Sequence, residues 1–154
     1  MVDDVRNLLV LGPDRTVKLD LFSLNIQRSR DHGLPTYNEA RSAFGLSKIR
    51  TFEQILPADE LFMAARLKSI YGTPDNLELF VGIICEKPVR NGILGELGAQ
   101  IVGQTFRNLR DGDRFWYENN YPRDVINEIE STSLGDIVRR NTDAPDLASN
   151  LFKI

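Results

Sequence analysis

Leu24 to Arg41 reads LNIQRSRDHGLPTYNEAR. Just ahead of it lies LDLFS at residues 19–23, where Asp20 offers the short carboxylate that opens a helix. That helix is predicted to run to about His32, with Gly33 as its stop and Pro35 preventing a simple continuation. Thr36 and Glu39 then have the spacing of a capping box, so a second helix opens at once and Gly45 closes it. A helix, a tight stop and another helix in so short a stretch point to an all-α architecture of packed short and medium helices.

The downstream sequence keeps this rhythm. Thr51 with Gln54 repeats the start signal, and Pro57 falls where a first helical turn tolerates proline. Leu61, Ala64, Leu67 and Tyr71 recur at helical intervals until Gly72, Thr73 and Pro74 end the segment. Leu77 to Cys85 stays open between a buried strand and a short helix, because a brief apolar run fits both. The longest helical pattern spans Leu94 to Arg110, with Leu94, Leu97, Ile101, Thr105 and Leu109 along one side. Gly95, Ala99 and Gly103 form a second stripe that would admit a packed helix or a flat ligand, the helix being the simpler reading. A further helix from Pro122 carries Val125, Ile126 and Ile129, and Ser133 caps one more with Ile137 and Val138. Residues 1–18 read as an irregular lead-in, the tail after Asn141 as irregular, and nothing repeats internally.

Composition excludes several classes. With 42% hydrophobic and 27% charged residues the chain can bury a core and is not of the disordered type. A net charge of -3 gives no field for nucleic acid or an anionic membrane surface, so neither is an expected partner. Arg28 with Arg30, and Arg139 with Arg140, read as solvated faces or ion pairs. The single cysteine, Cys85, cannot close an intrachain disulfide, and after Val81, Ile83 and Ile84 it reads as a small buried hydrophobe. The opening MVDDVRNLLVLGP has only a short apolar run, Leu8 to Leu11, too brief for a signal core, and no window reaches the length of a membrane span.

One helical face carries the functional information. Helical spacing places Leu21, Leu24, Asn25 and Arg28 together. An amide and a guanidinium in a leucine stripe are costly if buried alone, so the facing surface must supply an acceptor for the Arg and a hydrogen-bond partner for the Asn. Two surfaces fit. A porphyrin edge offers propionates for Arg28, and its axial histidine can donate a ring hydrogen to the Asn25 carbonyl. Ordinary interhelical hydrogen bonds would also satisfy both.

LNIQRSRDHGLPTYNEAR closely resembles a hallmark stretch of the animal haem peroxidases. YGTPDNLELFVG at 71–82, GQTFRNLRDGDRFWYEN at 103–119 and the YPRDV that follows resemble the same family in the same order, so the likeness spans nearly the whole chain. It implies that residues 19–154 are a partial haem peroxidase domain, the carboxy-terminal portion of that all-α fold, and that haem is the cofactor. It also implies that Asn25 hydrogen-bonds a proximal histidine, that Arg28 pairs with a haem propionate, and that Leu21 and Leu24 pack near the proximal face. Arg107, in QTFR, resembles a basic residue of the haem neighbourhood.

His32 is the only histidine, and in the family this position is not the iron ligand; it is expected to lock the turn between two helices through Asp31 or nearby backbone. Asp111, Gly112, Asp113 and Arg114 read as a turn held by ion pairs and a left-handed glycine, with Phe115, Trp116 and Tyr117 as anchors beneath it. Peroxide chemistry needs both an axial ligand and a distal base. The resemblance places both histidines and the calcium site upstream, so no catalytic or metal-ligating residue is expected in this chain. By itself it is expected to be inactive, and to need the upstream portion or a complementary chain as partner. Family members are often secreted. The alternative is a non-catalytic helical interaction module or relic that self-associates through an exposed apolar face.

Overall fold

The computed structural model describes residues 20–144, 147, 148, 150 and 151; the lead-in of residues 1–18 lies outside them. The chain divides into two units, Met1–Lys87 and Pro88–Ile154.

The first unit begins with α1 (Leu21–Asp31), whose start is set by Asp20: its carboxylate accepts the Ser23 backbone N–H at 3.1 Å. Backbone N–H groups of His32, Gly33 and Leu34 close the other end onto Arg28, Arg30 and Ser29 carbonyls, with Gly33 at φ 61°. Thr36 and Glu39 form the expected capping box on α2 (Tyr37–Ala43). Thr51 with Gln54 caps only a 3-10 turn, Phe52–Gln54, and Pro57 precedes a second one, Ala58–Glu60. The helix expected from Leu61 therefore starts later, as α3 (Met63–Tyr71), with Ala64 and Leu67 buried and Gly72 at φ 73° ending it.

The open reading of Leu77 to Cys85 resolves as a helix, α4 (Leu79–Cys85). The reason is a long-range contact. A Cβ on Gly82 would collide with the Tyr37 ring, so the glycine lets α4 lie directly on α2. One trace of extended pairing precedes it, where Thr36 and Glu78 form an isolated antiparallel bridge and Tyr37 N–H donates to the Leu77 carbonyl at 2.8 Å. Tyr37, Ala40, Phe52, Ile55, Leu67, Leu77 and Val81 are all buried in this unit. Phe22 of α1 meets Phe80 of α4 with ring centroids 5.1 Å apart.

In the second unit α5 (Glu96–Gly112) is the longest helix among the described residues. Its predicted stripe is only half interior: Leu97 is fully buried, but Leu109 is 61% exposed. The small-residue stripe behaves likewise. Gly95 is buried, but a Cβ at Gly103 would touch nothing, so no helix packs there among the described residues. Short α6 (Tyr117–Asn120) and α7 (Arg123–Ser131) follow, and Ile126 is buried. Ser133 and Asp136 form a capping box on α8 (Leu134–Asn141), where hydrogen bonds from Ser133 and Arg139 hold the Asp136 carboxyl far below its ordinary range. No described helix is long and apolar enough to cross a membrane.

Candidate functional site

The inward side of α1 carries Phe22, Ile26 and the buried Ser29, whose hydroxyl donates to the Asn25 carbonyl oxygen at 2.9 Å. About 120° around the helix lies the face predicted to matter. Leu21 and Leu24 are 36% and 43% exposed there, and Arg28 is exposed. Among the described residues the Arg28 guanidinium makes no ion pair or hydrogen bond. About two turns of helix thus display two leucines and a cation, unpaired among the described residues, outward.

Asn25 is half-buried, and its Nδ2 donates to the Leu21 carbonyl at 2.9 Å. That bond fixes which end of the amide is which, because only the NH2 can donate to a carbonyl. Its Oδ1 is left as an acceptor on the same face as Arg28, with no donor among the described residues. An acceptor, a fork of donors and two apolar side chains match a porphyrin edge with an imidazole N–H beside it. The four residues of α1 therefore fit haem. Arg107 belongs to α5 in the second unit, is exposed, and lines a shallow groove with Gly103, Phe106, Leu109, Arg110, Asp113 and Trp116.

The face owes its orientation to a clamp that the sequence did not disclose. Arg30 Nε donates to Glu78 Oε1 at 2.6 Å, and Tyr71 OH donates to Glu78 Oε2 at 2.9 Å. Behind it sits a buried network in which Tyr37 OH donates to Glu86 Oε1 at 2.6 Å and Arg41 Nη1 donates to Tyr37 OH at 3.3 Å. Burial and the Glu86 hydrogen bond push the Tyr37 phenol well above its usual range. The Arg30–Glu78 and Tyr37–Glu86 bonds span 48 and 49 residues, and no local spacing announces them.

Two expectations need correction. The His32 imidazole makes no hydrogen bond among the described residues, and Asp31 instead accepts from Gln27 Nε2 at 2.9 Å. Backbone N–H groups lock that turn. Gly112 is not a left-handed glycine, since α5 continues through it. Asp111 pairs with Arg110, outside the expected turn, at 2.8 Å, and Arg114 stacks on Phe115 at 4.5 Å. Phe115 is no anchor, being 67% exposed. Trp116 is half-buried, and its Nε1 is buried with no partner among the described residues. Burial pushes the Cys85 thiol up, which disfavours the thiolate. The described residues contain no cluster of His, Cys, Asp and Glu that could hold a metal.

Known proteins match this architecture. Peroxidase A from Dictyostelium discoideum superposes with a TM-score of 0.75 and 37% identity, over 92% of this chain and 27% of that one. Hamster (Mesocricetus auratus) lactoperoxidase is 39% identical over 99% of the chain, and human myeloperoxidase 40% identical over 97%. The chain spans about a fifth of the length of these two relatives, 22% and 20%. The family model for animal haem peroxidase matches residues 1–152. With the family model matching residues 1–152 and relatives 39–40% identical over nearly the whole chain, this chain belongs to the animal haem peroxidase family.

Proposed function

We propose that this chain forms the proximal-side wall of a haem-dependent peroxidase and contributes no catalytic residue of its own. Haem, when bound, supplies the redox chemistry that reduces hydrogen peroxide at the expense of a donor. The chain's own work is to hold and tune it. Asn25 Oδ1 would accept the ring hydrogen of a histidine that holds the haem, fixing the imidazole's orientation and raising its basicity. Arg28 forks onto a propionate. Leu21 and Leu24 cover the proximal face and exclude water, and Arg107 adds a basic group in the haem neighbourhood. The observation that carries this reading is the Asn25 amide, whose bond to Leu21 leaves its acceptor end, among the described residues, free beside an unpaired guanidinium.

The proximal and distal histidines come from the upstream portion of the peroxidase or from a complementary chain, since the single histidine here cannot fill both roles. Co-expression with that portion should restore a Soret band and peroxide-dependent oxidation of a phenol or halide. Asn25→Ala should shift the reduction potential of the complex; a complex without haem, or an unchanged potential, overturns the assignment. A second reading, a non-catalytic interaction module, draws on the exposed Phe62, Phe106 and Phe115. Haem titration of the complex separates the two, because the module takes up none.

A further inference from the structure

A cleft of about 1050 Å³ lies within the first unit, well away from the α1 face in sequence and built from different elements. One wall is the segment Ser47 to Glu53; the other is Leu61, Ala64, Ala65 and Lys68, leading to the turn Gly72–Asp75. Its base is apolar. Ile49, Phe52 and Ala64 are each less than a tenth exposed, and Leu61 adds a half-exposed side chain.

The charges around that base are unevenly committed. Asp75 accepts Asn38 Nδ2 at 2.7 Å, and Glu53 is held below its ordinary range by its own backbone N–H and by the Thr51 hydroxyl. Both carboxylates already have donors. Lys48, Arg50 and Lys68 also line the cleft and are exposed, but none makes a side-chain hydrogen bond or ion pair among the described residues. Glu39 and Glu53 attract Lys48 and Lys68 only through space.

We infer that this cleft binds a small organic anion, with its apolar body on Ile49, Phe52, Leu61 and Ala64 and its anionic head among Lys48, Arg50 and Lys68. The volume admits a ligand of that size, lying just above the roughly 300–1,000 Å³ usual for small-molecule sites. An apolar base with a few convergent polar groups is the usual construction of such sites, the base giving affinity and the charges giving selection. A neutral ligand would leave Arg50 unanswered and Lys48 and Lys68 with only the through-space attraction of Glu39 and Glu53. An inorganic anion would leave the apolar base wet, so the site selects molecules that carry both features. Asn38 gives the cleft its rigidity: fully buried, it donates to the Ile49 carbonyl at 3.0 Å, accepts the Ile49 N–H at 2.9 Å and holds Asp75, so both rims are tied to one amide. The inference does not depend on haem.

The test uses the chain itself and two fluorescent probes that differ in charge, 1-pyrenebutyrate and 1-pyrenebutanol. The carboxylate should bind at one site per chain, and the alcohol about tenfold more weakly. K48Q/R50Q/K68Q, all exposed positions, should bring the carboxylate down to the affinity of the alcohol while leaving the alcohol unchanged. Ala65→Trp, which projects an exposed side chain into the cleft, should block both. Amide chemical shifts should move within 47–53 and 61–75. Equal affinity for the two probes, no binding of either, indifference to the triple substitution, or shifts confined to the Phe106 and Leu109 surface would each overturn it.

Discussion

Arg30 and Glu78, 48 residues apart in sequence, are joined by a 2.6 Å hydrogen bond from guanidinium Nε to carboxylate Oε1. The bond ties the last turn of α1 to the residue that precedes α4, and Tyr71 completes the clamp from the end of α3. Burial alone would raise the Glu78 carboxyl, but the bonds from Arg30 and Tyr71 outweigh it and hold the group below its ordinary 4.5. Burial and the same carboxylate push the Tyr71 phenol up to about 12.

A depressed folded value means that the clamp is intact above the ordinary glutamate range and is lost as pH falls through the lower folded value. Glu78→Gln should therefore flatten the acid side of the stability profile, losing less on acidification below 4.5 than the parent does. Because the Arg30 side chain is 62% exposed, the effect should shrink with salt. Melting temperatures across acid pH at low and high ionic strength check both statements. Parallel profiles for the two proteins would remove Glu78 from the account.

Tyr37→Phe isolates the buried network. The ring, which packs against Gly82, is kept, and the hydroxyl that donates to Glu86 is lost. A buried hydrogen bond to a charged group contributes about 1.5–3 kcal/mol, and urea denaturation should show a loss of that order. The phenol's raised value adds a pH signature. Folded protein keeps its proton where unfolded chain releases it, so stability should fall as pH rises past the ordinary 10. Tyr37→Phe should lose less on that alkaline side than the parent.

The same distinction between local and distant couplings explains what could be read in the sequence. Asp20, Thr36 with Glu39, and Ser133 with Asp136 act over three residues, so their spacing discloses the helix starts. The α1 face is legible for the same reason, since helical geometry alone aligns Leu21, Leu24, Asn25 and Arg28. Leu77 to Cys85 was undecided because its choice rests on Gly82 meeting Tyr37, a contact 45 positions away (82 − 37). Gly112 misled because glycine is permissive rather than directive: it can end a helix but need not. The cleft cations gave no signal at all, since Lys48, Arg50 and Lys68 share no helix and converge only through the turn that Asn38 fixes.

Asn38 yields a sharper test of that convergence. Its amide uses both ends, and it is 1% exposed, so no water replaces what is removed. Asn38→Ala should cost about 1–3 kcal/mol by leaving buried groups unpaired. Asn38→Asp should cost more, because donors that face Asp75 and the Ile49 carbonyl become acceptors. Hydrogen exchange at the Ile49 amide should accelerate in both, and pyrenebutyrate affinity should fall with it. Unchanged exchange at Ile49 would show that the rim is held by something else.

The last expectation concerns the outer side of α5. Val102, Phe106 and Leu109 fall on one helical strip and are 39%, 66% and 61% exposed, beside a groove lined by Trp116, whose Nε1 has no partner among the described residues. A contiguous apolar strip on a helix is a site for association. The purified chain should therefore sediment with a concentration-dependent shift above the monomer. F106D/L109D should remain monomeric at the same concentrations and keep its helical circular dichroism, because neither side chain serves the core. Salt identifies the force. Sulfate should strengthen association if the strip drives it, whereas pairing between oppositely charged patches would weaken as ions screen it. A parent chain that stays monomeric in sulfate would leave the strip without a role in assembly.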